Sequence, residues 1–93
     1  DEARIRAIEA ACEVPLVIHG GSGVPSEQRR VLAQTSRICK FNIGTELRLA
    51  FGNALRSSVL SDPDRFDRVA ILKDTHAPLV AATRQVLQSF KPA

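Results

Sequence analysis

Tryptophan, tyrosine and methionine are absent from this chain and phenylalanine occurs only 4 times, so a hydrophobic core has to be assembled from Val, Leu, Ile and Ala. No apolar run approaches the roughly 20 residues of a membrane-spanning helix. The acidic start Asp1-Glu2 lacks the basic region that opens a secretory leader. With only Cys12 and Cys39 there is no dense disulfide framework, and two isolated thiols predict free, buried cysteines in a reducing compartment. Charge of one sign is scarce as well: 13 Lys and Arg against 10 Asp and Glu leave +3. That excess is spread along the chain and specifies no nucleic acid. The expectation is a soluble, cytoplasmic protein with no nucleic-acid partner and no membrane partner.

What is present is ordinary globular material, 44% hydrophobic and 25% charged, which gives no reason to expect wholesale disorder. A chain of 93 residues buries only about 60% of its unfolded surface when it folds alone, so packing against polypeptide outside it has to be considered. Residues 1–12 are rich in helix formers, with Ala3, Ile5, Ala7, Ile8 and Ala11 at amphipathic spacing. Pro15 ends that helix, and Leu16-Val-Ile18 reads as a buried parallel strand running into His19 and a cluster of glycines. After the turn Gly20–Pro25, Ser26 is placed to cap a helix to about Arg37 that buries Val31, Leu32, Thr35 and Ile38.

The unit then recurs, with a strand over 39–43, Gly44 at its end, and Thr45 placed to cap a helix to about Leu60. Leu47, Phe51 and Leu55 form the stripe of that helix. Residues 61–67 predict a loop or single turn, and a last helix is expected over about Ala77–Phe90. The pattern is α/β. Two parallel strands make an unfinished sheet, with open edges and flanks that expect cover; the alternative is a compact two-strand α/β miniprotein.

Both strands end in small or polar residues just before a helix, and parallel strands bring those ends to one face. Glycines allow close approach of backbone N–H groups to an anion that helix N-termini also attract. A phosphate held by Gly21, Ser22, Gly23, Asn42, Gly44 and Thr45 is one reading; a tight turn with Asn42 and Thr45 as caps is the other. Gly20-Gly-Ser-Gly23 lacks the Lys-Ser/Thr of a nucleotide-hydrolase phosphate loop and the later carboxylate of a dinucleotide site. His19 has the chemistry of a metal ligand, a general base or a hydrogen-bonded core residue. A catalytic zinc normally takes three protein ligands, and His76 falls in a polar stretch that reads as surface. Further ligands would have to come from outside this chain.

Pro15-Leu-Val-Ile-His-Gly-Gly-Ser-Gly-Val-Pro25, followed one helix later by Lys40-Phe-Asn-Ile-Gly-Thr-Glu-Leu-Arg-Leu-Ala-Phe51, resembles the carboxyl-terminal part of the class II, zinc-dependent fructose-bisphosphate and tagatose-bisphosphate aldolases. The resemblance is strong over 14–55 and looser beyond. It implies that residues 1–93 form the segment α6-β7-α7-β8-α8 of a (β/α)8 TIM barrel, a partial domain rather than a complete independent one. Such barrels need about 250 residues and hold phosphate near the loops after their seventh and eighth strands. By the same resemblance His19 is the last of three zinc histidines. Gly20, Gly21 and Ser22, completed by Gly23, form the phosphate turn beside a monovalent cation, Na+ or K+. Asn42 would contact the ketose, and Gly44 and Thr45 would form the second half of the phosphate site; Gly44 stands where many members have Asn, Asp or Ala.

The implied reaction is reversible aldol cleavage of a sugar bisphosphate to dihydroxyacetone phosphate and an aldehyde phosphate, with Zn2+ stabilising developing negative charge. The proton-transfer residue and the other zinc histidines lie earlier in such barrels, so this chain alone is expected to be inactive. The remainder of the same barrel would be its partner, within an intact homo-oligomer. Two other readings stand beside this one: a non-catalytic, aldolase-like structural or chaperone subunit, and a small phosphate-binding module.

Overall fold

The computed structural model describes residues 1–92. Along the chain lie α1 (Glu2–Ala11), β1 (Leu16–Ile18), a 3-10 turn (Gly21–Gly23), α2 (Ser26–Thr35), β2 (Ile38–Phe41), α3 (Thr45–Ser61), α4 (Arg68–Asp74) and α5 (His76–Gln88). These residues fold as two compact units, Asp1–Ile43 together with the segment from Ser89 onward, and Gly44–Gln88. The architecture is mixed α/β, as the pattern predicted.

In the first unit Asp1 caps α1, its carboxylate accepting from the Arg4 N–H at 3.3 Å. No residue of α1 is fully buried, and Ile8 on its apolar stripe remains 45% exposed. The helix is tied down by charge instead. The Arg37 guanidinium donates to the carbonyls of Glu9 and Cys12, and Arg6 donates to the Thr35 carbonyl at 2.6 Å and hydroxyl at 2.8 Å. The Arg37 backbone N–H donates to the Glu9 carboxylate, which with the nearby Arg6 holds Glu9 below the usual carboxylate range.

β1 and β2 pair in parallel, Leu16 with Ile38, Val17 with Lys40 and Ile18 with Phe41, with an irregularity between Leu16 and Val17. The second strand starts one residue earlier than its composition predicted, because α2 stops short of it. The Thr35 and Ser36 hydroxyls bond back to the Val31 and Leu32 carbonyls at 2.7 and 2.6 Å, and Ser36 turns extended. Ile38 is therefore a buried strand residue rather than a helical one, and Thr35 is exposed. Leu32 and Ile38 form the buried apolar pair of this unit, and the ring of Phe90 sits 4.7 Å from that of Phe41. Cys12 and Cys39 are free as expected, but Cys12 is half-buried and Cys39 exposed. Strand alternation turns Cys39 away from the face on which Ile38 is buried.

The second unit is α3, α4 and α5. Asp67 caps α4 by accepting from the Val69 N–H at 2.9 Å; this helix occupies residues between the predicted loop and last helix. Ser58, buried on α3, donates its hydroxyl to Asp74 at 2.8 Å, and Arg65 donates to both. These bonds, the Ser58 hydroxyl first and the Arg65 guanidinium second, lower the Asp74 pKa. α5 starts at His76, which is exposed, and ends at Gln88, so Phe90 leaves the predicted helix and belongs to the first unit. No helix among the described residues is long and apolar enough to cross a membrane.

Candidate functional site

The parallel register that sets Ile18 against Phe41 also aligns the residues that follow each strand. The Asn42 N–H donates to the Ile18 carbonyl at 2.9 Å, and the Asn42 carboxamide lies 3.5 Å from Nδ1 of the exposed His19 ring. His19 and Asn42 therefore emerge side by side from the carboxyl end of the sheet, the end where parallel α/β structures collect ligands. An amide neighbour of this kind fixes the orientation of an imidazole and, according to which way it faces, which ring nitrogen keeps the proton.

Beyond His19 the chain turns back at Gly20, whose φ of 70° is the one left-handed conformation in this turn. Any side chain there would be strained. Gly21 is buried against the end of β2: its N–H donates to the Asn42 carbonyl at 2.9 Å, and an added Cβ would stand 3.1 Å from that oxygen and 2.7 Å from the Ile43 side chain. Close approach of the turn to β2 thus requires glycine at 21. Gly23 has no such demand, since a Cβ there meets nothing within 4 Å. The Gly23 and Val24 N–H groups donate back to the Gly20 and Gly21 carbonyls at 3.1 and 3.0 Å. The amides of Gly21, Gly23 and Val24 are thus engaged inside the fold, contrary to the simple picture of glycines baring their N–H groups. Ser22, between them, is half-buried.

Ser26 and Thr45 do not cap their helices. Pro25 takes the cap position of α2 with an extended ψ of 147°, its carbonyl accepting from Arg29 N–H at 2.9 Å, so Ser26 is already helical. Gly44 does the same for α3, accepting from Arg48 N–H at 3.0 Å, which leaves Thr45 exposed as the first helical residue. A Cβ at Gly44 would meet the Arg48 guanidinium no closer than 3.6 Å, an ordinary contact, so sterics alone do not require glycine there. His19, Gly20, Gly21, Ser22, Gly23 and Asn42 come together in the first unit; Gly44 and Thr45 open the second.

The donor set limits what a metal could do here. Among the described residues no group of three His, Cys, Asp or Glu side chains converges. The exposed imidazole of His19, oriented by Asn42, suits one ligand of a larger set.

Sequence reasoning missed Arg29. It is buried at 3% exposure on α2, although a guanidinium is ordinarily solvated. The usable signal was spacing, because Arg29 lies three residues before the buried Leu32 and shares its side of the helix.

Parallel strands thus deliver a histidine, an asparagine and a glycine turn to one end of an α/β segment. Residues 1–93 match the family model described as fructose-bisphosphate aldolase class-II. The chain belongs to this family. It is 34% identical over 86 residues to the D-tagatose-1,6-bisphosphate aldolase subunit GatY of Klebsiella oxytoca, covering 91% of this chain and 30% of that protein. It is 32% identical over 87 residues to the 6-phospho-5-dehydro-2-deoxy-D-gluconate aldolase of Shouchella clausii, covering 94% and 29%. Against the fructose-bisphosphate aldolase of Geobacillus stearothermophilus identity is 39% over 67 residues, covering 70% and 22%. The chain therefore spans less than a third of the length of these curated relatives.

Proposed function

We propose that the intact protein is a zinc-dependent aldolase that reversibly cleaves a ketose bisphosphate to dihydroxyacetone phosphate and an aldehyde phosphate. The observation that carries this reading is the pairing of His19 and Asn42 at the carboxyl end of two parallel strands, directly before the glycine turn. The three relatives are named for aldol chemistry on a phosphorylated sugar and differ in the sugar, which supports the reaction class and leaves the substrate to experiment. The unpaired outer edge of β1, with Val17 51% exposed, supports placement of this chain as the α6-β7-α7-β8-α8 segment of a (β/α)8 barrel whose other strands lie outside it. The intact protein is a cytoplasmic homo-oligomer.

In this reading His19 is one of three zinc ligands, held in orientation by Asn42. When bound, the divalent metal supplies Lewis-acid stabilisation of the negative charge that develops on the ketone oxygen as the carbon–carbon bond breaks. Asn42, whose carboxamide both donates and accepts, is placed to bond a sugar hydroxyl. In the first unit the Ser22 hydroxyl is assigned to phosphate, with Gly20 and Gly21 shaping the turn beside a monovalent cation; in the second, Thr45 is assigned a phosphate contact of its own at the N-terminus of the 17-residue α3. The proton-transfer residue comes from polypeptide outside this chain, so the 93 residues alone are inactive.

The test uses the intact protein with fructose and tagatose bisphosphates. His19→Ala is expected to reduce zinc content and cleavage together; unchanged metal content sinks its role as a ligand. Ser22→Ala and Thr45→Val are expected to raise KM by roughly 10- to 150-fold, the loss of one hydrogen bond to a charged group, while leaving zinc content alone.

A further inference from the structure

Burial of Arg29 calls for a cause, because a guanidinium is costly to remove from water unless its donors are used. Its Nη2 donates to the Ser22 carbonyl at 3.4 Å and its Nη1 to the Ser89 hydroxyl at 3.3 Å, while its guanidinium carbon lies 5.9 Å from the centre of the Phe90 ring. The terminal segment is further held to α2 by Arg30, whose Nε donates to the Lys91 carbonyl at 2.7 Å. The Gly20 and Gly21 carbonyls accept from Gly23 and Val24, closing the turn on itself. The Ser22 carbonyl instead accepts from the Arg29 side chain. A carbonyl dipole free to swing toward a bound anion would repel it, and Arg29 both holds that dipole and places a positive charge beneath the turn.

We infer that Arg29 is a positioning residue for phosphate recognition: its buried guanidinium, braced by Ser89 and Phe90, fixes the Ser22 carbonyl and so the presentation of Ser22 to the phosphate. The inference rests on the reading that this turn binds substrate phosphate. It adds to that reading a residue that does not itself touch the ligand, and it gives the segment after α5 a role in substrate affinity.

The experiment compares Arg29→Leu, Arg29→Lys, Ser89→Ala and Ser22→Ala in the intact protein. It measures calorimetric binding of inorganic phosphate, KM and kcat for sugar bisphosphate cleavage, zinc content and thermal unfolding. Leucine fills much of the buried space, and exchange of a buried charge for an apolar residue is often tolerated. Arg29→Leu is expected to weaken phosphate binding and raise KM by about tenfold, with kcat and zinc content kept. Arg29→Lys should recover part of the affinity, since it restores charge without the planar fork. Ser89→Ala should weaken binding by about 2- to 3-fold, the low end for one neutral hydrogen bond.

Unchanged phosphate affinity in Arg29→Leu overturns the inference even if its unfolding temperature falls, because Arg29 is then only a core strut. Should that variant fail to fold, Ser89→Ala decides, and unchanged affinity there overturns the inference equally. If Ser22→Ala loses affinity while the Arg29 and Ser89 variants do not, the phosphate turn stands and only the inference fails. If Ser22→Ala has no effect, the turn is not the phosphate site and the underlying reading fails with it.

Discussion

The three glycines of the four-residue stretch 20–23, Gly20, Gly21 and Gly23, differ in what requires them. Gly20 is required by its backbone, with φ at 70°. Gly21 is required by its neighbours, since a Cβ would press on the Asn42 carbonyl at 3.1 Å. Gly23 is required by neither. Replacing each with alanine should separate these causes. Gly20→Ala is expected to cost roughly 1–2 kcal/mol for its left-handed conformation. Gly21→Ala is expected to shift the turn away from β2 and weaken phosphate binding. Gly23→Ala is expected to be neutral or stabilising by up to about 1 kcal/mol, because alanine restricts the unfolded chain. Thermal unfolding of the intact protein, together with phosphate titration, checks the order; a Gly23→Ala penalty as large as that of Gly20→Ala would refute it. The same stretch shows how far residue identity can be read unaided. His19 and Asn42 announce themselves by type and position, whereas Arg29 does not, because the cost of burying a guanidinium argues against the location it occupies.

Elements bounded by strong local chemistry were legible: Pro15 and the glycines frame β1, and the apolar run between them matches the observed strand residue for residue. The boundary between α2 and β2 was not, because Ile38 suits either a helix stripe or a strand. The back-bonding hydroxyls of Thr35 and Ser36 settle it. α4 was hidden behind Pro63 and the polar stretch around it, although Asp67 ahead of Val69-Ala-Ile-Leu72 is a recognisable cap. At the far end of α4, Asp74 is bonded by Ser58 and Arg65 and held below its ordinary pKa of 3.8. A lowered carboxylate pKa means the folded state binds the proton less readily than the unfolded one. The contribution is thus complete above the ordinary value and lost as pH falls through the lower folded value. The stability difference between the native protein and Asp74→Asn is expected to shrink on that acid limb and to diminish with added salt, since Asp74 is 46% exposed. A difference that stays constant with pH would show that the carboxylate charge contributes nothing.

Across the whole molecule the described residues bury little. Leu32, Ile38 and Val86 are the buried apolar side chains among them, while Leu60 and Phe66 are 75% and 93% exposed. An independently stable domain buries a much larger share of its apolar surface. The 93-residue chain expressed alone is therefore expected to unfold without a cooperative transition and to bind no stoichiometric zinc. A sharp calorimetric transition from the short chain would instead favour a self-sufficient module. Composition and pattern were enough to establish the α/β class, the two strands and the residues at the strand ends, while the aldolase resemblance rests on the two motifs over 15–25 and 40–51. Those properties are written in local periodicity and in residue types that tolerate few substitutes. Three things required the folded chain: the His19–Asn42 pairing, the internal use of the turn's amides, and the burial of Arg29 against Ser22 and Ser89. Each depends on strand register or on contacts between residues far apart in sequence, such as the 60 positions separating Arg29 from Ser89, and no local preference encodes either.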